Sequence, residues 1–456
     1  MNKGVNKGVN EAVNGSAPPR QTLWVIVALC GLSITFDGYD LVVFGTTVPS
    51  LLKEWQISPA EAGTLASLAL VGMLIGALLV GTLTDVLGRR KMLLLSVTWF
   101  SVSMMLCTVA PSPELFGLFR LLGGLGLGGL MPTAAALVIE YAPPGRANLT
   151  YGVMQSGYAI GGILAAALAI PVIPDAGWRV MYLIGAAPLL LVVPLAYRLL
   201  PESLEYLVLR GRREEASELA ARHNVPLPER QEDDGGRRWY SGVRELVSPG
   251  YRAGTVLLWA TCFCALLAVY GLSTWLPQIM RTARFPLGSA LTFLLVFNLG
   301  SIVGSVAGGR IADRVGSKPV VTVSFLLGAA SVFLLATRPS TWAMYLLLAV
   351  AGHGTIGTQN LVNAYVTRYY PAGARTTGIG WALGVGRLGA ILGPTIGGLV
   401  IDSGAPWPWN FYLFAAVALV GLFAAGLVPQ SPSPAAERSA GRGSRAGTPA
   451  LKESTL

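Results

Sequence analysis

The chain has 456 residues, of which 53% are apolar and only 12% are charged, and its formal net charge is +10. Because soluble domains carry about 25% charged residues, this composition excludes an ordinary soluble protein. The apolar runs are continuous, whereas the strands of a membrane β-barrel alternate between apolar and polar residues over about 10 positions. The sequence therefore predicts an all-α membrane protein.

Twelve apolar runs are long enough to cross a bilayer as helices, which takes about 20 residues each. The first six lie near 23–49, 62–83, 92–110, 115–138, 150–172 and 178–199. The other six lie near 253–276, 288–308, 319–337, 342–365, 376–400 and 409–428. We therefore predict twelve transmembrane helices in two pseudo-symmetric six-helix halves, residues 23–199 and 253–428.

Three polar segments flank the two halves: a tail at 1–22, a central loop at 200–252 and a second tail at 429–456. In the central loop, PESLEYLVLRGRREEASELAARHN spaces Leu204, Leu207, Val208 and Leu219 as a helix does, which predicts a helix on the membrane surface. The second tail is rich in Ser, Ala, Gly, Pro and Arg, and we expect it to be disordered. The first tail has no cleavage site before the first apolar run, so we expect that run to remain as an anchor.

The lysines and arginines indicate the orientation in the membrane. An even number of spans puts both tails and the central loop on one side, and that side holds most of the 33 Lys and Arg residues. Positive residues collect on the cytoplasmic side, so we expect a protein of the inner membrane with both termini in the cytoplasm. The net charge is then a signal of topology and not of nucleic-acid binding.

The two halves repeat one another in sequence. GTLTDVLGRRK and GRIADRVGSKP align at an offset of 228, which pairs Gly81 with Gly309, Asp85 with Asp313 and Gly88 with Gly316. Parallel repeats of this kind are a known transporter plan, in which the substrate binds near the membrane midplane between the halves.

Charged residues near the repeated loop are candidates for conformational gating. Asp85, beside Arg89 and Arg90, can form charge-assisted bonds with a neighbouring helix end, and these bonds can break as the halves move. The alternative is that the charges only set the topology. The gating candidates are Gly81, Asp85, Gly88, Arg89, Arg90, Glu140, Arg146, Asp313 and Arg314.

Two aspartates interrupt the first span, in SITFDGYDLVVFG. Ionisable groups at membrane depth are costly, so they indicate function. Asp37 and Asp40 are three positions apart and share a helix face. Two carboxylates that close do not both ionise easily away from water, which suits a proton carrier. The alternative is that one of them only pairs with Arg120 and locks helix 1 to helix 4.

Arg387 lies about 12 residues into the eleventh span, near the midplane, where a fixed cation suits an anionic substrate. Its planar fork matches a carboxylate in a bidentate manner, although it could instead bond helix carbonyls or a buried acid. His353, at similar depth, serves either proton and substrate handling or an interhelical hydrogen bond. The other candidate substrate contacts are Arg120, Tyr39, Tyr158, Gln359, Asn360 and Trp381, because aromatic rings and amides can hold a hydroxylated ring.

Several stretches resemble known families. The Gly81–Arg90 loop, and Arg120 with GGLGLGG in the fourth span, resemble the major facilitator superfamily over roughly residues 20–430. FDGYDLVVFGTTVPSLLKEW, YGLSTWLPQIM and NAYVTRYYPAGARTTGIGWALGVGRLGAILGPTIGG are similar to the aromatic acid:proton symporter family within it. The resemblance implies the major facilitator fold, proton-coupled uptake of aromatic carboxylates, and functional importance for Asp37, Asp40 and Arg387. It also implies that the gating residues do not touch the substrate.

The resulting hypothesis is a monomeric secondary transporter that imports a small aromatic acid anion with protons, such as 4-hydroxybenzoate, protocatechuate, gentisate or benzoate. The alternatives are import of a ring-cleavage acid such as muconate, and proton-driven export of a drug or metabolite. The fifth span contains GYAIGG, without the Gly-Pro step usual in exporters of this superfamily, which favours import. The sequence has no histidine pair, no nucleophile with a base and no phosphate loop, so we expect no enzyme activity, no catalytic residue, no metal and no cofactor.

Overall fold

The computed structural model describes residues 20–143, 146–223, 225, 227, 241–371 and 374–430. All regular structure within those ranges is helical. The tail predicted to be disordered falls outside the described residues from position 431 onward, and so does the first tail up to position 19. The large exposed side chains of the helices are apolar, as in Leu78, Leu190 and Phe423, which fits a surface that meets lipid.

The first half forms six spans from eight helices. Ser58 and Glu61 start the second span with a capping box, in which each side chain bonds the other's backbone N–H. Gly88, at φ 95°, ends that span and turns the chain directly into the third. The helices are α1 (Arg20–Trp55), α2 (Pro59–Leu87), α3 (Arg89–Thr108), α4 (Pro113–Gly128), α5 (Leu130–Glu140), α6 (Ala147–Ala176), α7 (Trp178–Gly185) and α8 (Pro188–Leu199).

The central loop contains three short helices: α9 (Leu204–Leu209), α10 (Arg213–His223) and α11 (Ser241–Leu246). The sequence predicted a single helix where α9 and α10 lie. The two are separate because Gly211 takes φ 75°, a left-handed conformation that ends a helix. Leu204 and Leu207 of α9 are fully buried, so α9 is docked on the body of the protein.

The second half also forms six spans. Gly316, at φ 94°, joins its second span to its third, as Gly88 does in the first half. The helices are α12 (Arg252–Thr282), α13 (Leu287–Val315), α14 (Ser317–Leu335), α15 (Thr341–Gly352), α16 (Thr358–Tyr369), α17 (Arg375–Asp402) and α18 (Pro408–Leu427), with a π-helical turn at His353–Gly357 between α15 and α16.

All twelve predicted spans are present as helices, so the fold prediction is confirmed. Eleven of the spans in the described chain are long and apolar enough to cross a membrane. The tenth is divided by the π-turn at His353–Gly357 into two helices of 12 residues each. The fourth span changes helix at Gly129, and the sixth changes helix between Gly185 and Pro188. None of these breaks interrupts the crossing, because the chain stays helical on both sides.

The same helix pairs pack in each half, which is the structural form of the sequence repeat. In the first half α1 packs on α6 and α2 on α4; in the second half α12 packs on α17 and α13 on α15. Glycines allow the close approach: a Cβ at Gly161 would lie 1.8 Å from the carbonyl oxygen of Thr35, and one at Gly124 would lie 2.0 Å from that of Ala69. The halves meet through α1 with α12, α2 with α17 and α6 with α13.

The halves touch on one side of the protein. We call the side where α1 begins and α9–α11 lie the central-loop side, and the opposite side, where α1 ends and α2 begins, the far side. On the far side Ser67 bonds Thr395 at 2.8 Å and the carbonyl of Ile391 at 2.6 Å. Nearer the central-loop side, Gly380 and Gly384 of α17 face open space. The structure is therefore closed on the far side.

Candidate substrate and proton site

A cavity lies between the two halves, as expected for a transporter built from parallel repeats. Most of its walls are apolar, and its charged groups come from α1 and α4. It is lined by Asp37, Asp40, Leu41, Phe44, Ala66, Ala69, Leu70, Met73, Arg120, Tyr158, Tyr270, Thr274 and Pro394. The structure thus brings together four of the side chains that the sequence singled out: Asp37, Asp40, Arg120 and Tyr158.

Asp40 and Arg120 form a buried ion pair. The Arg120 guanidinium donates a hydrogen bond to the Asp40 carboxylate, and the two side chains are only 5% and 7% exposed. The guanidinium also lies over the ring of Phe44, 5.5 Å from its centroid, a cation–π contact. Both charges belong to the first half, so this pair ties α1 to α4 and does not join the two halves.

Asp37 has a different environment although it is equally buried, at 3% exposure. Its carboxylate makes no hydrogen bond with a described residue, and it lies close enough to Arg387 and Asp40 to interact with their charges. Gly38 explains how α1 and α6 come together here, since a Cβ at this position would lie 1.9 Å from the carbonyl oxygen of Tyr158. Asp37 is thus a buried acid on the cavity wall that has no hydrogen-bond partner among the described residues and interacts with Arg387 through charge alone.

Arg387 of α17 is not among the residues that line the cavity, but it lies beside residues that are. It is half-buried, and its guanidinium lies 3.9 Å from the sulfur of Met73 in α2. It also interacts electrostatically with Tyr158, Tyr270 and Asp37. Its hydrogen-bonding partners are thus the Tyr270 hydroxyl and the Met73 thioether, a weak acceptor, and neither is a carboxylate.

Tyr158 and Tyr270 meet across the cavity, with their hydroxyl oxygens 3.4 Å apart. Tyr158 comes from α6 in the first half and Tyr270 from α12 in the second. A phenol hydroxyl can donate or accept a hydrogen bond. The pair therefore adds two adjustable hydrogen-bonding groups next to Arg387.

Two candidate substrate contacts, Tyr39 and His353, lie outside the cavity. The Tyr39 hydroxyl donates to the carbonyl of Met181 at 2.7 Å, inside the packed core of the first half. The His353 Nε2 lies 3.0 Å from the Ser324 hydroxyl, which is the interhelical hydrogen bond that the sequence left as an alternative. Neither side chain lines the cavity.

Three further candidates also lie outside the cavity, nearer the central-loop side. Gln359 bonds Asn363 at 2.9 Å, and Asn360 bonds Ser305 at 3.2 Å. The ring of Trp381 stacks on Trp259 at 5.6 Å, and 48% of Trp381 is exposed. The bonding and stacking partners of these three side chains all belong to the second half.

Several gating candidates form an ion-pair cluster on the central-loop side. Arg89 bonds Glu140 at 2.8 Å and Glu205 of α9 at 2.5 Å. The Arg90 backbone N–H donates to Glu202 at 2.9 Å, and its guanidinium donates to the carbonyl of Tyr197. The cluster therefore fastens the α2–α3 turn to α9.

The remaining gating candidates do not belong to this ion-pair cluster. In the second half Asp313 pairs with Arg368 at 2.8 Å. Arg146 and Arg314 are exposed. Gly81 lies within α2, and the side chain of Asp85 lies outside the described part of the structure.

The sequence interpretation missed some of the residues that build the site. Met73 and Thr274 carried no signal, because a single methionine or threonine in an apolar helix is common. Glu202, Glu205 and Arg368 could have been found as charges near the repeated loop on the same side of the membrane. Among the described residues, no group of three or more His, Cys, Asp or Glu side chains is placed to hold a metal ion.

Comparison with known proteins agrees with this architecture. The family model of the Major Facilitator Superfamily matches residues 24–307 and 282–454. Among solved structures, the chain is similar to a D-xylose-proton symporter, with a TM-score of 0.70, 19% identity and coverage of 90% of this chain and 98% of that one. It is also similar to the inward open xylose transporter XylE from E. coli, with a TM-score of 0.71, 18% identity and coverage of 92% and 99%.

Curated relatives are much closer in sequence. The benzoate transport protein of Acinetobacter baylyi is 38% identical over 89% of each chain. The gentisate transporter of Corynebacterium glutamicum is 39% identical over 86% of this chain and 84% of its own. The 4-hydroxybenzoate transporter of Pseudomonas aeruginosa is 35% identical over 89% of this chain and 93% of its own. The chain therefore belongs to the Major Facilitator Superfamily and, within it, to the aromatic acid:proton symporter family.

Proposed function

We propose that the protein imports a small aromatic carboxylate with protons across the inner membrane, as a monomer with both termini in the cytoplasm. The observation that carries the proposal is the opposition of Asp37 in one half and Arg387 in the other, beside a cavity with apolar and aromatic walls. The names of the relatives, which specify benzoate, gentisate and 4-hydroxybenzoate, support the substrate class. The bias of Lys and Arg to one side supports the orientation.

Competition for Arg387 would couple the proton to the substrate. Ionised Asp37 neutralises Arg387 across the cavity. A proton taken up by Asp37 removes that charge, and the carboxylate of the substrate then becomes the best partner for the guanidinium. When the substrate leaves, Asp37 loses its proton and pairs with Arg387 again. An empty carrier and a fully loaded carrier then have the same net charge at the site.

Asp40 would have a supporting role in this scheme. Its bond to Arg120 lies within the first half, so it need not break when the halves move as rigid bodies. Separating this pair would leave a charge buried alone, which costs about 3–5 kcal/mol. We therefore assign the transported proton to Asp37 and the stability of the first half to Asp40 and Arg120.

The driving force depends on the number of protons. One proton carried with a monovalent carboxylate moves no net charge and uses the pH gradient. A second proton would add the membrane potential, worth about 2.3 kcal/mol per 100 mV for each charge.

Transport into reconstituted vesicles tests the proposal. Purified protein is placed in vesicles with an imposed pH gradient, and labelled benzoate is supplied outside. We expect accumulation that a protonophore abolishes. Accumulation that is indifferent to the protonophore would contradict symport, and proton-driven efflux alone would support the exporter alternative. If unlabelled muconate competes with labelled benzoate more strongly than unlabelled benzoate does, the preferred substrates would be ring-cleavage acids.

A further inference from the structure

The cavity carries charged side chains on its α1 and α4 walls, and the other side chains that line it are uncharged. Asp37 and Tyr158 line the cavity nearer the central-loop side, and Arg387 interacts electrostatically with both. Pro394 lies seven positions beyond Arg387 in α17, which is about 10 Å along the helix, and it lines the far-side end. Thr274 lies at the same level, because the indole of the next residue, Trp275, donates to the Pro394 carbonyl at 2.7 Å.

Thr274 has a hydroxyl that its own helix does not use. In helices, threonine hydroxyls commonly bond the carbonyl of the preceding turn, and in α12 Thr261 and Thr282 do so at 2.7 and 3.0 Å. Thr274 makes no hydrogen bond with a described residue, although it is only 4% exposed. Its hydroxyl lies on the cavity wall, where it can donate or accept one bond.

The cavity ends just behind Thr274. A Cβ at Gly45 would lie 2.2 Å from the Ser273 carbonyl oxygen, and one at Gly63 would lie 2.6 Å from the Pro394 carbonyl oxygen. The backbones of α1 and α2 thus press directly on those of α12 and α17. A ligand that reaches this end meets one hydroxyl and then a wall.

We propose that Thr274 selects the ring substituent opposite the carboxylate. The inference rests on the proposed function, because it takes the substrate carboxylate to lie at Arg387. With that end fixed, the ring extends toward the far side between apolar walls that include Phe44 and Leu70. The ring atom opposite the carboxylate then faces Thr274, so a hydroxyl at this position gains a hydrogen bond. A hydroxyl at either neighbouring position does not face Thr274 and gains no bond from it.

The physical basis of the selection is the cost of burying an unpaired hydroxyl. A phenol group moved from water into an apolar pocket loses its hydrogen bonds unless the pocket replaces them. A hydrogen bond to Thr274 replaces one of them, and the gain for a neutral pair corresponds to about a 2- to 10-fold change in affinity. The wall behind Thr274 excludes larger groups, so a methoxy group at the same position should bind more weakly than a hydroxyl.

The test compares Thr274→Val with the unmodified protein. Valine keeps the shape and removes the hydroxyl. Binding of benzoate, 4-hydroxybenzoate, 3-hydroxybenzoate and 4-methoxybenzoate to the purified full chain is measured by competition with labelled benzoate. We expect the affinity ratio of 4-hydroxybenzoate to benzoate to fall about 2- to 10-fold in Thr274→Val, with no matching change in the ratio for 3-hydroxybenzoate. Thr261→Val, which removes a hydroxyl bonded within the same helix, is the control and should leave both ratios unchanged.

The outcomes separate this inference from the proposed function. If the unmodified protein and Thr274→Val both bind benzoate with the same affinity ratio of 4-hydroxybenzoate to benzoate, the role of Thr274 is overturned. The proposed function would still stand. An equal fall for the 3-hydroxy and 4-hydroxy compounds would also overturn it, because the effect would not depend on ring position. No binding of any aromatic acid by the unmodified protein would overturn the proposed function itself.

Discussion

Asp37 of α1 interacts with Arg387 of α17 across the boundary between the two halves, and no hydrogen bond in the described structure joins them. An interaction of this kind changes when the halves move. The other buried acid of the same helix face, Asp40, is bonded inside its own half. Two aspartates three positions apart therefore have different partners, and the predictions below depend on that difference.

Replacement of Asp37 by Asn should uncouple binding from pH. In the unmodified protein substrate binding should weaken as pH rises, because ionised Asp37 competes for Arg387. Asparagine cannot ionise, so binding should become independent of pH while accumulation driven by a pH gradient falls to background. Equilibrium binding at several pH values and uptake into vesicles measure the two effects. Accumulation by Asp37→Asn under a pH gradient would contradict the assignment of the proton to Asp37.

Replacement of Asp40 by Asn should mainly destabilise the fold. Arg120 would be left buried with a weaker partner, and loss of one partner of a buried pair costs about 3–5 kcal/mol. The melting temperature in detergent should fall accordingly, and Arg120→Leu should lower it as well. The double variant Asp40→Leu with Arg120→Leu removes both charges and should recover much of the loss. If the melting temperature of the double variant falls by as much as the two single variants together, the pair does not stabilise the fold.

Replacement of Arg387 by Lys should weaken carboxylate binding although the charge is kept. The planar fork forms two parallel hydrogen bonds that an ammonium group does not reproduce, and charge-assisted bonds of this type correspond to about a 10- to 100-fold change in affinity. Binding of labelled benzoate measures the effect. Arg179→Lys is the matched control, because Arg179 pairs with Glu54 at the surface, where the side chains are 38% and 40% exposed, and such pairs contribute little. Similar losses in both variants would refute the carboxylate clamp.

Cross-linking Ser67 to Thr395 should hold the far side closed. The two hydroxyl oxygens are 2.8 Å apart, so cysteines at both positions should form a disulfide under oxidation. The four native cysteines are free and buried, which limits competing bonds. We expect oxidation of the double variant to stop transport, reduction to restore it, and Ser67→Cys alone to be insensitive. Full transport by the cross-linked protein would show that the far side does not need to open.

The sequence predicted the twelve spans because length and hydropathy decide whether a helix can cross a bilayer. It did not predict where those helices break. The π-turn at His353–Gly357 lies in a run that reads as one helix, and its geometry depends on close packing, since a Cβ at Gly354 would lie 2.2 Å from the Cα of Gly328. The division at Gly129 likewise depends on a neighbour, because a Cβ there would collide with Val80. Breaks of this kind arise from tertiary contacts.

The candidate site was predicted in part. Charged residues in an apolar run are visible in the sequence, so Asp37, Asp40, Arg120 and Arg387 were found. Tyr39 could have been excluded from the sequence, because two positions along a helix of 3.6 residues per turn place it nearly opposite Asp37. The position of Thr274 could not be predicted, since it depends on how the two halves close around the far-side end of the cavity.

The turns at Gly88 and Gly316 have nearly the same backbone conformation, with φ and ψ of 95° and 154° in one and 94° and 157° in the other. The residues that follow differ, since Arg89 forms two ion pairs while Ser317 accepts a hydrogen bond from Arg368. The two halves thus share one main-chain shape at these turns, while the side chains that hold the turns in place differ. The contacts of each turn can therefore be changed separately, by exchanging the side chains around a glycine that stays in place. These two turns are suitable positions for engineering the opening rate of one half without redesigning the other.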